Sequence, residues 1–153
     1  MGDSLSEIYN YRAAAANVAT SGQPTQRQLA SIAAAGYTVV INLALHDDPR
    51  YSLADEAGTV KSLGMEYVHI PVQFAAPTKD DLWAFLDAMD RHRSGKIWVH
   101  CAANMRVTAF VGLYWVLRRG WDRARAFELM NGVWQPNEVW AGFIASSLAQ
   151  HGR

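Results

Sequence analysis

The chain has 153 residues, half of them hydrophobic, which suits one domain with a core of its own and leaves little room for a second. Basic and acidic side chains number 14 each, so no net charge draws the chain to nucleic acid or to an anionic membrane, and any anion would be held by a local site. The single cysteine excludes an intramolecular disulfide, and a free thiol suits a reducing, cytoplasmic setting.

Met1 to Glu7 lack a basic stretch followed by an apolar run, so no signal peptide is expected. No stretch approaches the length of a membrane span, and no internal repeat, linker or low-complexity segment interrupts the chain. Cysteine and histidine never pair at metal-ligand spacing, so neither a structural zinc nor another cofactor is expected. His69 and His92 stand alone and read as packing or surface residues.

Ile8 to Arg12 and Val18 to Ser21 read as two weak strands or an extended opening segment. Ser21-Gly22-Gln23-Pro24-Thr25 is turn chemistry, with Thr25 capping a helix over 26–35 that Gly36 ends. Tyr37 to Leu43 is a β-branched run suited to a central parallel strand, in which a buried Asn42 needs a partner. The polar segment from Ala44 to Arg50 follows at the strand's carboxyl end, where open α/β sheets place ligands, although a solvated turn is the better explanation of it. A helix is expected over 53–63 and a strand over 65–70, ending at Pro71. Strand, helix, strand repeats here, which argues for right-handed parallel connections.

Thr78 with Asp81 caps a helix to about His92, its Leu82, Phe85, Leu86 and Met89 spaced to face the core. Lys96 to His100 is a buried strand, followed by a tight loop and a helix over 105–118 that is apolar on nearly every face and ends at Gly120. Asp122 caps a further helix carrying Phe127 and Met130 inward, and Pro136 opens a last helix to about residue 150. The sum is an α/β fold: a single domain over residues 1–153, its mostly parallel sheet of four to five strands covered by helices on both faces.

The chemistry concentrates where that buried strand meets the apolar helix. Cys101 stands at the turn, facing free backbone N–H groups and the positive end of a helix dipole, an arrangement that favours a thiolate and can cradle an anion. Arg106, five residues on, is placed to curl back and grip an oxyanion in bidentate fashion.

This loop resembles the phosphate-binding loop of cysteine-dependent phosphatases of the tyrosine and dual-specificity type: Val-His-Cys, two residues, Gly, two residues, Arg, then Ser or Thr. Val99-His100-Cys101 matches its start, and Asn104 stands at the glycine, as the non-glycine residue most tolerant of a left-handed backbone. Only Met105 separates Asn104 from Arg106, so the spacing is Cys-x4-Arg, with Val107 in the family's arginine slot and Thr108 at the family's distance for its hydroxyl. Ser21-Gly22-Gln23-Pro24-Thr25 is similar to the opening of a compact bacterial phosphatase-like domain, and Pro136-Asn137 with Phe143 and Leu148 to the ending of dual-specificity phosphatases.

The resemblance implies a phosphatase with Cys101 as nucleophile and an oxyanion held by Arg106 and the N–H groups of Ala102, Ala103, Asn104, Met105 and Arg106. His100 would orient the loop through a hydrogen bond, with Asn42 and Thr108 in supporting places. The family draws a general acid from the loop after the strand ending at Ile70. Here that loop begins Val72-Gln73-Phe74 without a carboxylate, and Asp80 and Asp81 are accounted for by helix capping. Phosphoryl transfer through a phosphocysteine is thus expected to be slow, acting on a phosphorylated substrate or another oxyanion. Two alternatives stay open: a non-catalytic anion- or protein-binding pseudophosphatase, and a rhodanese-like sulfurtransferase, whose loop is one residue shorter than that of related phosphatases. The sequence carries no signal of oligomeric state.

Overall fold

Cys101 lies at the carboxyl end of the middle strand of a five-stranded sheet. The computed structural model describes residues 5–45 and 52–151, so the polar segment from His46 to Arg50 lies outside the described residues. The strands are β1 (Arg12–Ala15), β2 (Val18–Ser21), β3 (Val39–Asn42), β4 (Glu66–His69) and β5 (Ile97–His100), ordered β1-β2-β5-β3-β4. β2, β5, β3 and β4 run parallel, and β1 folds back antiparallel on β2. β2, β3 and β5 are buried at every residue, as strands covered on both faces must be.

Alternation along these strands divides the core in two. Ala19, Val40 and Trp98 face α1 (Gln26–Ala34) and α2 (Glu56–Ser62), packing with Leu29, Ile32, Val60 and Met65. Val18, Val39, Ile41, Ile97 and Val99 face the other way, toward α3 (Lys79–Arg91), α4 (Met105–Arg119), α5 (Arg123–Ala126) and α6 (Glu138–His151). α4 is the central helix, buried continuously from Val107 to Trp115. Among the described residues no helix is long and apolar enough to cross a membrane.

Several element ends differ from the sequence expectation, each for a local reason. The stretch before β1 is a short 3-10 turn, Leu5–Glu7, and Asn10 takes a φ of 52° that turns the chain into the strand at Arg12. Thr25 does cap α1, in a full capping box with Gln28. The second helix starts at Glu56 rather than 53, because Asp55 adopts φ 51° and its carboxylate accepts the Gly58 N–H. The segment after Asp122 breaks into the short α5 and a 3-10 turn, Glu128–Met130, where the Phe127 ring lies against Gly112 of α4, a position that tolerates no Cβ. Asn137, not Pro136, starts the last helix, its Oδ1 accepting the Trp140 N–H.

Candidate active site

The parallel strands β2, β5 and β3 end side by side, where the chain order of the sheet reverses, and such a switch point leaves a crevice at the strands' carboxyl ends. Cys101 enters this crevice from β5, with its N–H donating to Ser21 O of β2 at 3.3 Å. The cysteine is buried, 1% exposed, and belongs to the core on the α4 side.

The next three carbonyls are each held from outside the loop. Cys101 O is 3.2 Å from His100 Nδ1, Ala102 O accepts from Gln23 N at 3.0 Å, and Ala103 O accepts from Asn10 Nδ2 at 3.0 Å. None of these peptides is cis, so each amide hydrogen points opposite to its carbonyl. The N–H groups of Ala102 and Ala103 are thereby turned away from His100 and Gln23, while that of Asn104 faces Ser21 O across the antiparallel bridge between Gly22 and Ala103.

Asn104 then takes φ 67° and ψ 7°, the left-handed conformation that starts α4. Its side chain donates to Asn10 O at 2.8 Å and to Thr20 Oγ1 at 3.0 Å, and makes no capping bond to the helix. The first-turn donors of α4 at Met105 and Arg106 are thus left uncapped. An uncapped helix start, with the helix dipole directed at the turn beside the thiol, is the kind of feature that binds anions.

Gly22 explains why the turn after β2 is glycine. A Cβ there would lie 2.5 Å from Ala102 O, 2.6 Å from the Tyr9 ring and 3.2 Å from Ala103 Cα, so only a bare backbone lets the cysteine loop close on β2. Arg106 donates from Nη1 to Val72 O at 2.8 Å, which ties it to the loop after β4. That loop offers a carbonyl where the phosphatase pattern places a carboxylate. Asp81 lies at the start of α3, where its N–H meets Thr78 Oγ1, and Asp80 is exposed beside it.

The remaining predicted residues fall into two groups. Asn42, fully buried in β3, donates from Nδ2 to Tyr67 Oη and accepts the Ala44 N–H, so it shapes the end of its strand. Thr108 spends its hydroxyl hydrogen on Met105 O at 2.9 Å and accepts from Trp134 Nε1 at 3.0 Å. This back-bonding to its own helix leaves that hydroxyl with no hydrogen to give a thiolate.

Sequence reasoning missed Glu56, Gln23 and Asn10. Glu56 lies 1% exposed in the first turn of α2, with Oε2 2.6 Å from His100 Nε2 and Oε1 accepting from Gln23 Nε2 at 2.9 Å. Burial and the nearby Glu56 carboxylate push the Tyr67 hydroxyl above the ordinary tyrosine range, against the hydrogen bond from Asn42, which pulls it down. In the sequence Glu56 looks like any acidic residue favoured near a helix start, and only its burial against His100 and Gln23 distinguishes it.

The fold has relatives among solved structures. The structure matches that of the DUF442 protein of Shewanella putrefaciens CN-32 with a TM-score of 0.86, at 32% identity over 97% of each chain. PTPMT1 in complex with PI(5)P gives 0.79 at 14% identity, covering 93% of this chain and 96% of that one. TpbA of P. aeruginosa in complex with pTyr gives 0.72 at 14% identity, covering 100% and 95%. At that identity the last two speak for the fold alone. No curated protein matches the chain. The family model described as a DSP-PTPase phosphatase fused to NAD+ kinase matches residues 5–137, and the chain belongs to that phosphatase family.

Proposed function

We propose that the chain is a cysteine-dependent phosphatase that hydrolyses phosphate monoesters through a phosphocysteine at Cys101. The observation that carries this reading is the set of outward-held carbonyls at 101–103, which leaves amide hydrogens and an uncapped helix start beside the thiol. In the first step Cys101 Sγ, as thiolate, attacks phosphorus and the bond to the ester oxygen breaks. The N–H groups of Ala102, Ala103, Met105 and Arg106 and the guanidinium of Arg106 carry the charge on the equatorial oxygens. Water then attacks the phosphocysteine, the S–P bond breaks, and inorganic phosphate leaves.

The departing oxygen must find a proton. The described loop 70–76 has no carboxylate to give one, which favours leaving groups that depart as anions. A phenol, with a pKa of about 10, leaves far more readily than an alkyl alcohol, so aryl phosphates are the expected substrates. The phosphorylated ligands of PTPMT1 and TpbA agree with a phosphate-bearing partner. A lone thiol suits a reducing compartment such as the cytoplasm.

Burial of the thiol favours a second reading, an oxyanion binder without turnover. Incubation with an aryl phosphate separates the two. Hydrolysis that is lost in Cys101→Ser, with a phosphoenzyme trapped on Cys101 and seen by intact mass, supports the phosphatase. Vanadate binding with no release of phosphate supports the binder. A persulfide on Cys101 after thiosulfate treatment would replace both with sulfur transfer.

A further inference from the structure

Glu56 and His100 form a pair with both side chains at 0% exposure, directly before the nucleophile position. His100 faces an acceptor at each ring nitrogen: the Glu56 carboxylate at Nε2, 2.6 Å away, and the Cys101 carbonyl at Nδ1, 3.2 Å away. A carbonyl only accepts, so Nδ1 must carry a hydrogen, and the second hydrogen lies between Nε2 and Glu56. Gln23 completes the circuit, since its side chain donates to Glu56 Oε1 while its own backbone N–H holds Ala102 O. Glu56 is therefore linked to two of the three outward-held carbonyls.

We propose that Glu56 is the positioning residue of the oxyanion cradle: through the His100 ring it keeps Nδ1–H on the Cys101 carbonyl and so turns the Ala102 N–H toward the bound anion. The inference rests on the reading of residues 101–106 as that cradle. With no carboxylate at position 56, the imidazole is free to carry its one hydrogen at Nε2. Its Nδ1 lone pair would then oppose the Cys101 oxygen, and the peptide between residues 101 and 102 would rotate to relieve it. With an amide there, Oε1 still accepts from Gln23, the amide N–H donates to Nε2, and the hydrogen stays on Nδ1.

Vanadate affinity of the full chain, by calorimetric titration, tests this without requiring turnover. Glu56→Gln should bind within about threefold of the parent, and Glu56→Ala about tenfold or more weakly, the effect of one buried hydrogen bond lost at the anion. A purely structural role for Glu56 would be rescued by the amide as well, so the protonation of the His100 ring is the readout that separates positioning from packing. Nitrogen-15 histidine spectra of the unaltered protein supply a measurement independent of any variant, and should show Nδ1 of His100 protonated. A folded Glu56→Ala that binds vanadate as tightly as the parent overturns the proposal, as does an unprotonated Nδ1. If Glu56→Ala does not fold, the spectrum and the Glu56→Gln affinity decide. A parent that binds vanadate but hydrolyses no aryl phosphate removes the catalytic reading and leaves this proposal standing. A parent that binds no vanadate removes the cradle and the proposal with it.

Discussion

Asn104 and Asn10 hold each other in place across 94 positions of sequence: the Asn104 side chain donates to Asn10 O at 2.8 Å, and the Asn10 side chain donates to Ala103 O at 3.0 Å. Both residues have positive φ, 67° and 52°. The pair locks the start of α4 to the turn before β1, so the floor of the site depends on a segment far from it in sequence.

The first prediction separates backbone from side chain at Asn104. Asn104→Gly keeps the left-handed conformation and loses two hydrogen bonds, for an expected cost of about 1–3 kcal/mol. Asn104→Ala loses the same bonds and adds the left-handed penalty of a Cβ, about 1–2 kcal/mol more. Urea unfolding of the two variants measures the gap. Equal stabilities would mean that the loop gives up its left-handed residue without cost.

A second prediction concerns Gly22, where a Cβ would meet Ala102 O and the Tyr9 ring at 2.5 and 2.6 Å. Tyr9 is 53% exposed and swings away cheaply, whereas Ala102 O is backbone of the cysteine loop. Gly22→Ala should therefore push the loop off β2 and cost about 1–3 kcal/mol, the usual penalty of overpacking. Vanadate affinity should fall with it. Stability reduced with affinity intact would show that the strain is taken up by Tyr9.

Much of the architecture was legible in the sequence because its signals are local. The β-branched run around Val39–Ile41, the Thr25 and Thr78 caps, and the apolar helix closed by Gly120 at φ 71° all stand where patterning puts them. Asn104 was likewise readable as a left-handed position. The site's support was not readable, because Asn10, Gln23 and Glu56 reach the loop through tertiary contacts that no spacing encodes. Thr108 shows the opposite failure. Its distance from Cys101 suggested a partner for the thiol, while the helix geometry turns its hydroxyl back onto Met105.

A third prediction is set by Tyr67, whose folded hydroxyl titrates above the ordinary tyrosine value of 10.0 through burial and the Glu56 charge. Above pH 10 the unfolded chain gives up this proton before the folded one does, so the contribution is complete below pH 10 and drains away as pH rises. Tyr37, raised by burial and by Tyr11, adds in the same direction. Stability should therefore decline on the alkaline side, and Tyr67→Phe should make the decline shallower without abolishing it. Unfolding midpoints in urea at a series of pH values above about 10 measure both slopes, and identical slopes would remove Tyr67 from the account.

Thr108 gives the last prediction, because resemblance and structure disagree about it. The phosphatase pattern implies a hydroxyl serving the thiol, in which case its loss would slow chemistry. In the structure that hydroxyl serves its own helix and a neighbouring indole, since its one hydrogen goes to Met105 O at 2.9 Å and its oxygen accepts from Trp134 Nε1 at 3.0 Å. The Trp134 ring also packs against Phe74 and Trp140, at centroid distances of 5.7 and 5.9 Å, so the indole is fixed where it must find an acceptor. Thr108→Val keeps the shape and leaves that indole N–H unpaired, which should cost about 1–3 kcal/mol. Thr108→Ser keeps both bonds and should cost less. For aryl phosphate hydrolysis, kcat in Thr108→Val should stay within about twofold of the parent, far from the roughly hundredfold scale on which losing a transition-state donor is felt. A folded Thr108→Val of parental stability whose kcat has fallen about tenfold would place the hydroxyl with the thiol after all.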